Sequence, residues 1–255
     1  AGEFRWTGFD YIGESGGWPR VLGNFGIIDI CHFPKDTYYF YQSQWTDKPM
    51  AHLLPHWTWP GKDGIEIPVH CYTTGDKAEL FLNGQSLGTR TFGEDNPYLL
   101  EWMVPYSPGE LKVVAYRDGK EIAHDTVHSA GAPVRFSVEA DQSTLDPALR
   151  DLSYLTVRMK DEHGHFAPKA ARWISVKIDG PARIVGIGNG DPLSHHDYQG
   201  RTTRTFNGLA RVILTATNGP DKLRPNSKRQ LNDIIVTIHS KGMESQTIKL
   251  QRSQP

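Results

Sequence analysis

Three carboxylates lie near one another at the start of the chain, Glu3, Asp10 and Glu14, with Trp6 among them. Two carboxyl groups can divide acid and base duties when a fold brings them together. Here the spacing argues against a pair. Glu3 falls in a strand-like run three residues before Trp6 and would point elsewhere, and Glu14 belongs to a glycine-rich loop. No catalytic residue is assigned. Histidines offer a second chemistry. His52 and His56 have the His-x-x-x-His spacing, which binds a metal only when a helix puts both rings on one face. Pro55, between them, breaks that helix. His163 with His165, and His195 with His196, lack a cysteine or acid at ligand spacing and read as solvated loop histidines. Neither a metal nor a cofactor is expected. GIGNGDP, Gly186 to Pro192, looks like a phosphate loop. The sequence after it, LSHHDYQGRTTRTF, has no helical period, so it reads as a cluster of turns. Cys31 and Cys71 sit in unrelated contexts and read as structural thiols.

Aromatic rings are the remaining chemistry. Of the seven tryptophans, Trp6, Trp18, Trp45, Trp57 and Trp59 all precede position 60, so the two ends of the chain differ in kind. Exposed rings on a β-sandwich can hold sugars, and Trp57, Trp59, Trp102 and Trp173 raise that alternative. Trp102 stands in the alternating run LEWMVPY and reads as half-buried core. Trp57 and Trp59 share a face in HWTWPG and read as packing where two structural units meet.

The elements that must position these residues follow two grammars. Gly2 to Tyr11 reads as a buried strand, Gly13 to Gly26 as a loop, then a short strand. Pro34 suits the first turn of a helix, and Tyr38, Tyr41 and Trp45 then share one helical face. Such an α/β unit cannot bury its own faces, so further chain upstream is expected. After Pro49 the period becomes two. Glu79 to Leu82 runs into Asn83-Gly84, the strongest short hairpin signal, and Asp118-Gly119 marks a second tight turn. Residues 49–130 therefore read as a small β-sandwich. Ala130 to Pro133 is a linker. Beyond it Leu155, Val157 and Met159, then Ile174, Val176 and Ile178, then Val212 and Leu214, then Ile234, Val236 and Ile238 alternate with polar residues. Residues 131–255 read as a second sandwich, with the basic stretch Asp221 to Gln230 as an exposed loop.

Composition narrows the function. Lys and Arg number 28 against 29 Asp and Glu, which gives no basic surface for nucleic acid or an anionic membrane. No run of ~18 apolar residues is present to span a bilayer. The opening AGEFRWTGFDY has neither a basic start nor an apolar run, so no signal peptide is visible.

The order of segments resembles the C-terminal part of family 2 glycoside hydrolases of the β-galactosidase type. GEFRWTGFDYIGE is similar to the last strand of their (β/α)8 barrel and GIIDICHFPKDTYYFYQSQW to the closing helix region. PMAHLLPHWTWPG, VHCYTTGDKAELFLNGQSLG and LEWMVPYSPGELKVVAYRDGKEIA resemble the sandwich that follows. RIVGIGNGDPLSHHDY and RTTRTFNGLARVIL resemble the terminal one. The resemblance covers nearly the whole chain. It implies a mainly β protein: the C-terminal end of a barrel over residues 1–48, then two antiparallel immunoglobulin-like β-sandwiches over 49–130 and 131–255.

The resemblance also implies a function. Such enzymes hydrolyse with retention, one Glu protonating the leaving oxygen and a second, about 5 Å away, attacking the sugar. Both precede the matched segments, so the chain by itself is expected to be inactive. Trp6 is expected at the mouth of the barrel as an apolar wall for the sugar, Asp10 as a neighbouring support or hydroxyl contact, and Asn24 as a loop cap or substrate contact. Related β-glucuronidases carry Asn-X-Lys at this loop. Here Asn24 is followed by Phe25 and Gly26, and the missing lysine favours a neutral sugar. The expected partners are a carbohydrate substrate and the upstream barrel, with no nucleic acid and no membrane. A periplasmic or secreted address is implied by family habit. The alternative is a non-catalytic module that binds carbohydrate or spaces domains; the orphan barrel unit, with its large apolar face, argues for the enzyme.

Overall fold

The computed structural model describes residues 2–93, 96–217 and 232–253. The stretch Asp221 to Gln230 lies outside the described residues. The chain forms two compact units, Ala1–Tyr11 with Asn24–Ala130, and Ile12–Gly23 with Gly131–Pro255. Two short strands, β1 (Tyr11–Ile12) and β2 (Leu22–Gly23), pair near the start.

The buried strand expected over Gly2–Tyr11 is not what forms. Phe4, Trp6 and Phe9 are exposed, and before Tyr11 enters β1 the pairing is a parallel bridge from Phe9 to Ile28. Thr7 O and Gly8 O accept from Ile27 N and Ile28 N, and Asp10 N donates to Ile28 O at 2.9 Å. The segment thus finds a neighbour on one side, and its large side chains meet no second layer among the described residues.

The helix α1 (Asp36–Trp45) starts later than Pro34 suggested. Pro34 bridges Ile28, and Lys35 is the N-cap. Asp36 in the first turn suits the positive end of the helix dipole. The expected single face splits: Tyr41 is buried, whereas Trp45, one turn on, is exposed and leans on the Tyr41 ring at 4.5 Å.

The first sandwich has β3 (Ala51–Leu54), β4 (Glu66–Thr73), β5 (Lys77–Leu82), β6 (Gln85–Thr91), β7 (Leu100–Pro105), β8 (Glu110–Arg117) and β9 (Lys120–His128). One sheet is ordered β3-β4-β7 and the other β6-β5-β8-β9, all antiparallel. Asn83 and Gly84 take φ of 51° and 80°, and Asp118 and Gly119 take 52° and 76°, the left-handed pairs that a tight hairpin turn needs. Inward residues of both sheets share one core, with Val69 and Trp102 on one side and Leu80 and Val113 on the other. Trp57 belongs to this core rather than to a junction between units. It is fully buried, meets Tyr106 edge-on at 5.1 Å and donates Nε1 to Ser107 O. Trp102 is likewise buried, its Nε1 reaching Gly88 O.

The second sandwich has β10 (Arg135–Ala140), β11 (Thr144–Leu145), β12 (Leu152–Lys160), β13 (Trp173–Asp179), β14 (Ala182–Gly188), β15 (Thr202–Arg204), β16 (Leu209–Ala216), β17 (Asp233–Ser240) and β18 (Gln246–Arg252). Its sheets are ordered β10-β12-β16-β14 and β11-β18-β17-β13-β15. Of the period-two apolar positions Leu155, Val157, Met159, Ile174, Val176, Val212, Leu214, Ile234, Val236 and Ile238 are buried in its core, while Ile178 is half-buried.

Candidate functional site

Asp10 organises the N-terminal segment. Its side chain is almost fully buried, and Oδ1 accepts from Gly26 N at 2.9 Å and from Lys35 Nζ at 2.7 Å. A buried carboxylate needs such partners, since an unpaired one would lose its hydration without return. Gly26 is required by the same contact. A Cβ there would stand 2.3 Å from Asp10 N and 2.3 Å from Phe9 C. Lys35 also reaches Asn24 O at 3.2 Å, so one ammonium joins Asp10, the turn at Asn24 and the start of α1. Twenty-five residues separate Asp10 from Lys35, and no motif in the sequence pointed to the pair.

Trp6 stands on this base, largely open to solvent. Its Nε1 donates to Tyr11 Oη at 3.2 Å, and the two rings meet edge-on with centroids 6.4 Å apart. Tyr11 in turn leans on Phe25 at 6.4 Å, and Arg5 donates to Phe25 O at 2.9 Å. Tyr11 therefore sets the plane of the Trp6 indole while one broad apolar face stays in water. Such a face packs well against the C–H face of a planar or chair-shaped ligand. Asn24 and Phe25 are exposed at the adjoining loop. Trp6, Asp10 and Asn24 thus fall in one neighbourhood: Trp6 outward, Asp10 beneath, Asn24 through its carbonyl on Lys35.

The other carboxylates have local work. Glu3 accepts from Tyr41 Oη at 2.6 Å, a bond that raises the Tyr41 hydroxyl pKa above its usual value. Glu14 is exposed, with φ 42°. Asp29 accepts from Cys31 N and Phe33 N. Burial pushes its carboxyl up, the two N–H donors only partly opposing this.

His163 and His195 are exposed in loops as the sequence suggested, whereas His165 and His196 are half-buried and His52 belongs to β3. His52 stacks on Tyr39 at 3.7 Å, with Nε2 3.2 Å from Asp36 Oδ1, and His56 stacks on Trp59. His163 and His165 turn their backbone N–H groups to Asp161 Oδ1, and Gly131 N donates to Oδ2. Sequence reasoning passed over Asp161, although an Asp two and four residues before backbone donors in a turn is the signal that could have found it.

Two family models match the chain. One, Domain of unknown function (DUF4982), matches residues 64–123, and the other, Glycoside hydrolase family 2 C-terminal domain 5, matches residues 136–249. Among curated proteins the chain is 36% identical to Beta-galactosidase BoGH2A of Bacteroides ovatus, over 100% of this chain and 29% of the relative. It is 40% identical to a putative beta-glucuronidase of Formosa agariphila, over 98% of this chain and 25% of the relative. Among solved structures a beta-glycosidase from Bacteroides vulgatus superposes with TM-score 0.89 at 37% identity, covering 98% of this chain and 30% of that one. The chain therefore spans less than a third of the length of these relatives.

Proposed function

We propose, from the premise that the chain belongs to glycoside hydrolase family 2 and corresponds to the C-terminal region of such an enzyme, that the intact protein is a retaining β-glycosidase removing terminal β-linked neutral sugars, β-galactosides foremost. In this reading residues 1–48 complete a (β/α)8 barrel whose other strands, and both catalytic glutamates, come from outside these residues. Trp6 is the apolar wall for the sugar and Asn24 a loop contact. Asp10, buried, touches no substrate and positions both through Gly26 and Lys35. A periplasmic or secreted address belongs to the same proposal.

One observation carries the choice of a neutral sugar. A uronate needs a cation free to turn to it, and the Lys35 ammonium is already held by Asp10 at 2.7 Å. A second reading, a β-glucuronide substrate, has an observation of its own. The Arg5 guanidinium sits beside Trp6 in sequence and donates to Phe25 O with one N–H group, leaving others of its five donors. The relative named a putative beta-glucuronidase fits that reading.

Two chromogenic substrates separate the readings. The intact protein should turn over an aryl β-galactoside, with Trp6→Ala lowering kcat/KM by about 10-fold or more, on the order of 1.4 kcal/mol of lost transition-state binding. Residues 1–255 alone should be silent; turnover by them would overturn the placing of the glutamates. Preference for the aryl β-glucuronide, lost in Arg5→Ala, would select the second reading.

A further inference from the structure

Two exposed indoles stand on the second unit, and both lean on one loop. This loop follows β14 and runs from residue 189 to residue 199. Its base is fixed from inside. Asn189, buried, donates Nδ2 to Arg204 O at 2.6 Å and accepts Asp191 N at 3.0 Å. Asp191 then caps Leu193 N and Asp197 caps Gln199 N. The excursion Ile12–Gly23 is fastened along it, Val21 N donating to Pro192 O at 2.8 Å and His195 Nε2 lying 2.8 Å from Pro19 O. As a result the Trp18 ring rests against His195, centroids 4.6 Å apart, and the Trp173 ring against His196 at 4.7 Å. Buried Ser194 holds His196 through Nδ1 at 3.0 Å. Trp18 nevertheless remains 85% exposed and Trp173 54%.

Rings this large normally bury themselves, and here the backing loop is held by hydrogen bonds while the rings stay exposed. The surroundings say what they suit. His195, His196, Asp191, Asp197 and Gln199 supply hydrogen-bonding groups, and Leu193 is the exposed aliphatic of the loop. A protein partner would ask for an apolar centre depleted of charge. Separate flat rings set among donors and acceptors match a ligand with C–H faces and a rim of hydroxyls, which is a pyranose. Rings resting on two successive histidines lie close enough for one oligosaccharide to reach both.

We propose that the surface formed by Trp18, His195, His196 and Trp173 binds a neutral β-linked oligosaccharide chain, so that the protein works on sugars carried by oligo- or polysaccharides. The glycosidase reading supplies the choice of ligand, and binding is the quantity to test.

The probes are β-1,4-galactohexaose and cellohexaose, titrated into the intact protein by calorimetry with galactose as the comparison. At least one hexaose should bind where galactose does not. Trp18→Ala and Trp173→Ala should each weaken it by about three- to tenfold. Leu149→Ala, at a residue 74% exposed elsewhere on the unit, should change nothing. Both indoles are exposed, so unchanged thermal unfolding will show the variants fold. Aryl galactoside turnover should also be unchanged in Leu149→Ala. Hexaose binding indifferent to both substitutions would overturn the proposal, as would no hexaose binding at millimolar concentration, or both indoles shielded from acrylamide in the intact protein. If no aryl glycoside is turned over yet hexaose binding still depends on Trp18 and Trp173, the glycosidase reading fails and the binding surface stands.

Discussion

Asp10 Oδ1 is a double acceptor, taking Gly26 N and Lys35 Nζ on the same oxygen. Asp10→Asn keeps an acceptor for one of them and removes the charge that holds the ammonium. A charge-assisted bond of this kind contributes about 1.5–3 kcal/mol, so the variant should lose about that much stability in urea unfolding. Asp161 makes a different prediction. Burial alone would raise its carboxyl, but the N–H groups of Gly131, His165 and His163 outweigh it, and its pKa is lowered from the usual 3.8. A carboxyl lowered in the folded state binds fewer protons there than in the unfolded chain. Its contribution is therefore present above about pH 3.8 and is lost as pH falls through the folded value. Acid unfolding of the wild type should be steeper below pH 4 than that of Asp161→Asn. Equal slopes would mean the three donors do not hold the charge. Asp29 runs the other way: its raised carboxyl contributes below the usual value, and that contribution is lost as pH rises through the folded one.

At the scale of elements, the N-terminal segment depends on close backbone approach. The turn at residues 24–28 lies against residues 7–10 because Gly26 has no side chain. Gly26→Ala must push two backbones apart, at a cost of about 1–3 kcal/mol, and should weaken the Asp10–Lys35 pair with it. Thermal unfolding checks the first effect, and a double-mutant cycle with Asp10→Asn checks the second, since coupled sites do not add. The two hairpins after Leu82 and Arg117 are of another kind. Asn83-Gly84 and Asp118-Gly119 carry their left-handed backbone in their own residue types, so the flanking strands find their register locally.

At the scale of the whole molecule the apolar surface is unevenly distributed. On the first unit Phe4, Trp6, Phe9 and Trp45 are all exposed, while the core of its sandwich is closed. Exposed apolar surface of this extent is the kind that interaction sites present. In the proposed reading the rest of the barrel covers residues Phe4, Phe9 and Trp45. Residues 1–255 alone should bind the dye anilinonaphthalene sulfonate, and the paired substitution Phe4→Ser with Trp45→Ser should lower that signal at least severalfold. The intact protein should bind little dye. Strong dye binding by the intact protein would contradict the proposed docking.

The sequence by itself determined the two sandwiches. Period-two alternation at Leu155 to Met159 or Ile234 to Ile238 needs only the geometry of a strand with one buried face, and Asn-Gly and Asp-Gly turns are read one residue at a time. It also placed Trp6, Asp10 and Asn24 in one candidate neighbourhood through a family resemblance. What only the tertiary structure decided are the long-range choices. Pro34 stands outside the helix because it bridges Ile28, and Trp57 lies inside the first sandwich, where Ser107 O accepts its N–H. Asp10 meets Lys35, and His195 meets Trp18, across 25 and 177 residues of chain. No local period encodes such meetings; they follow from which surfaces remain to be satisfied once the strands have paired.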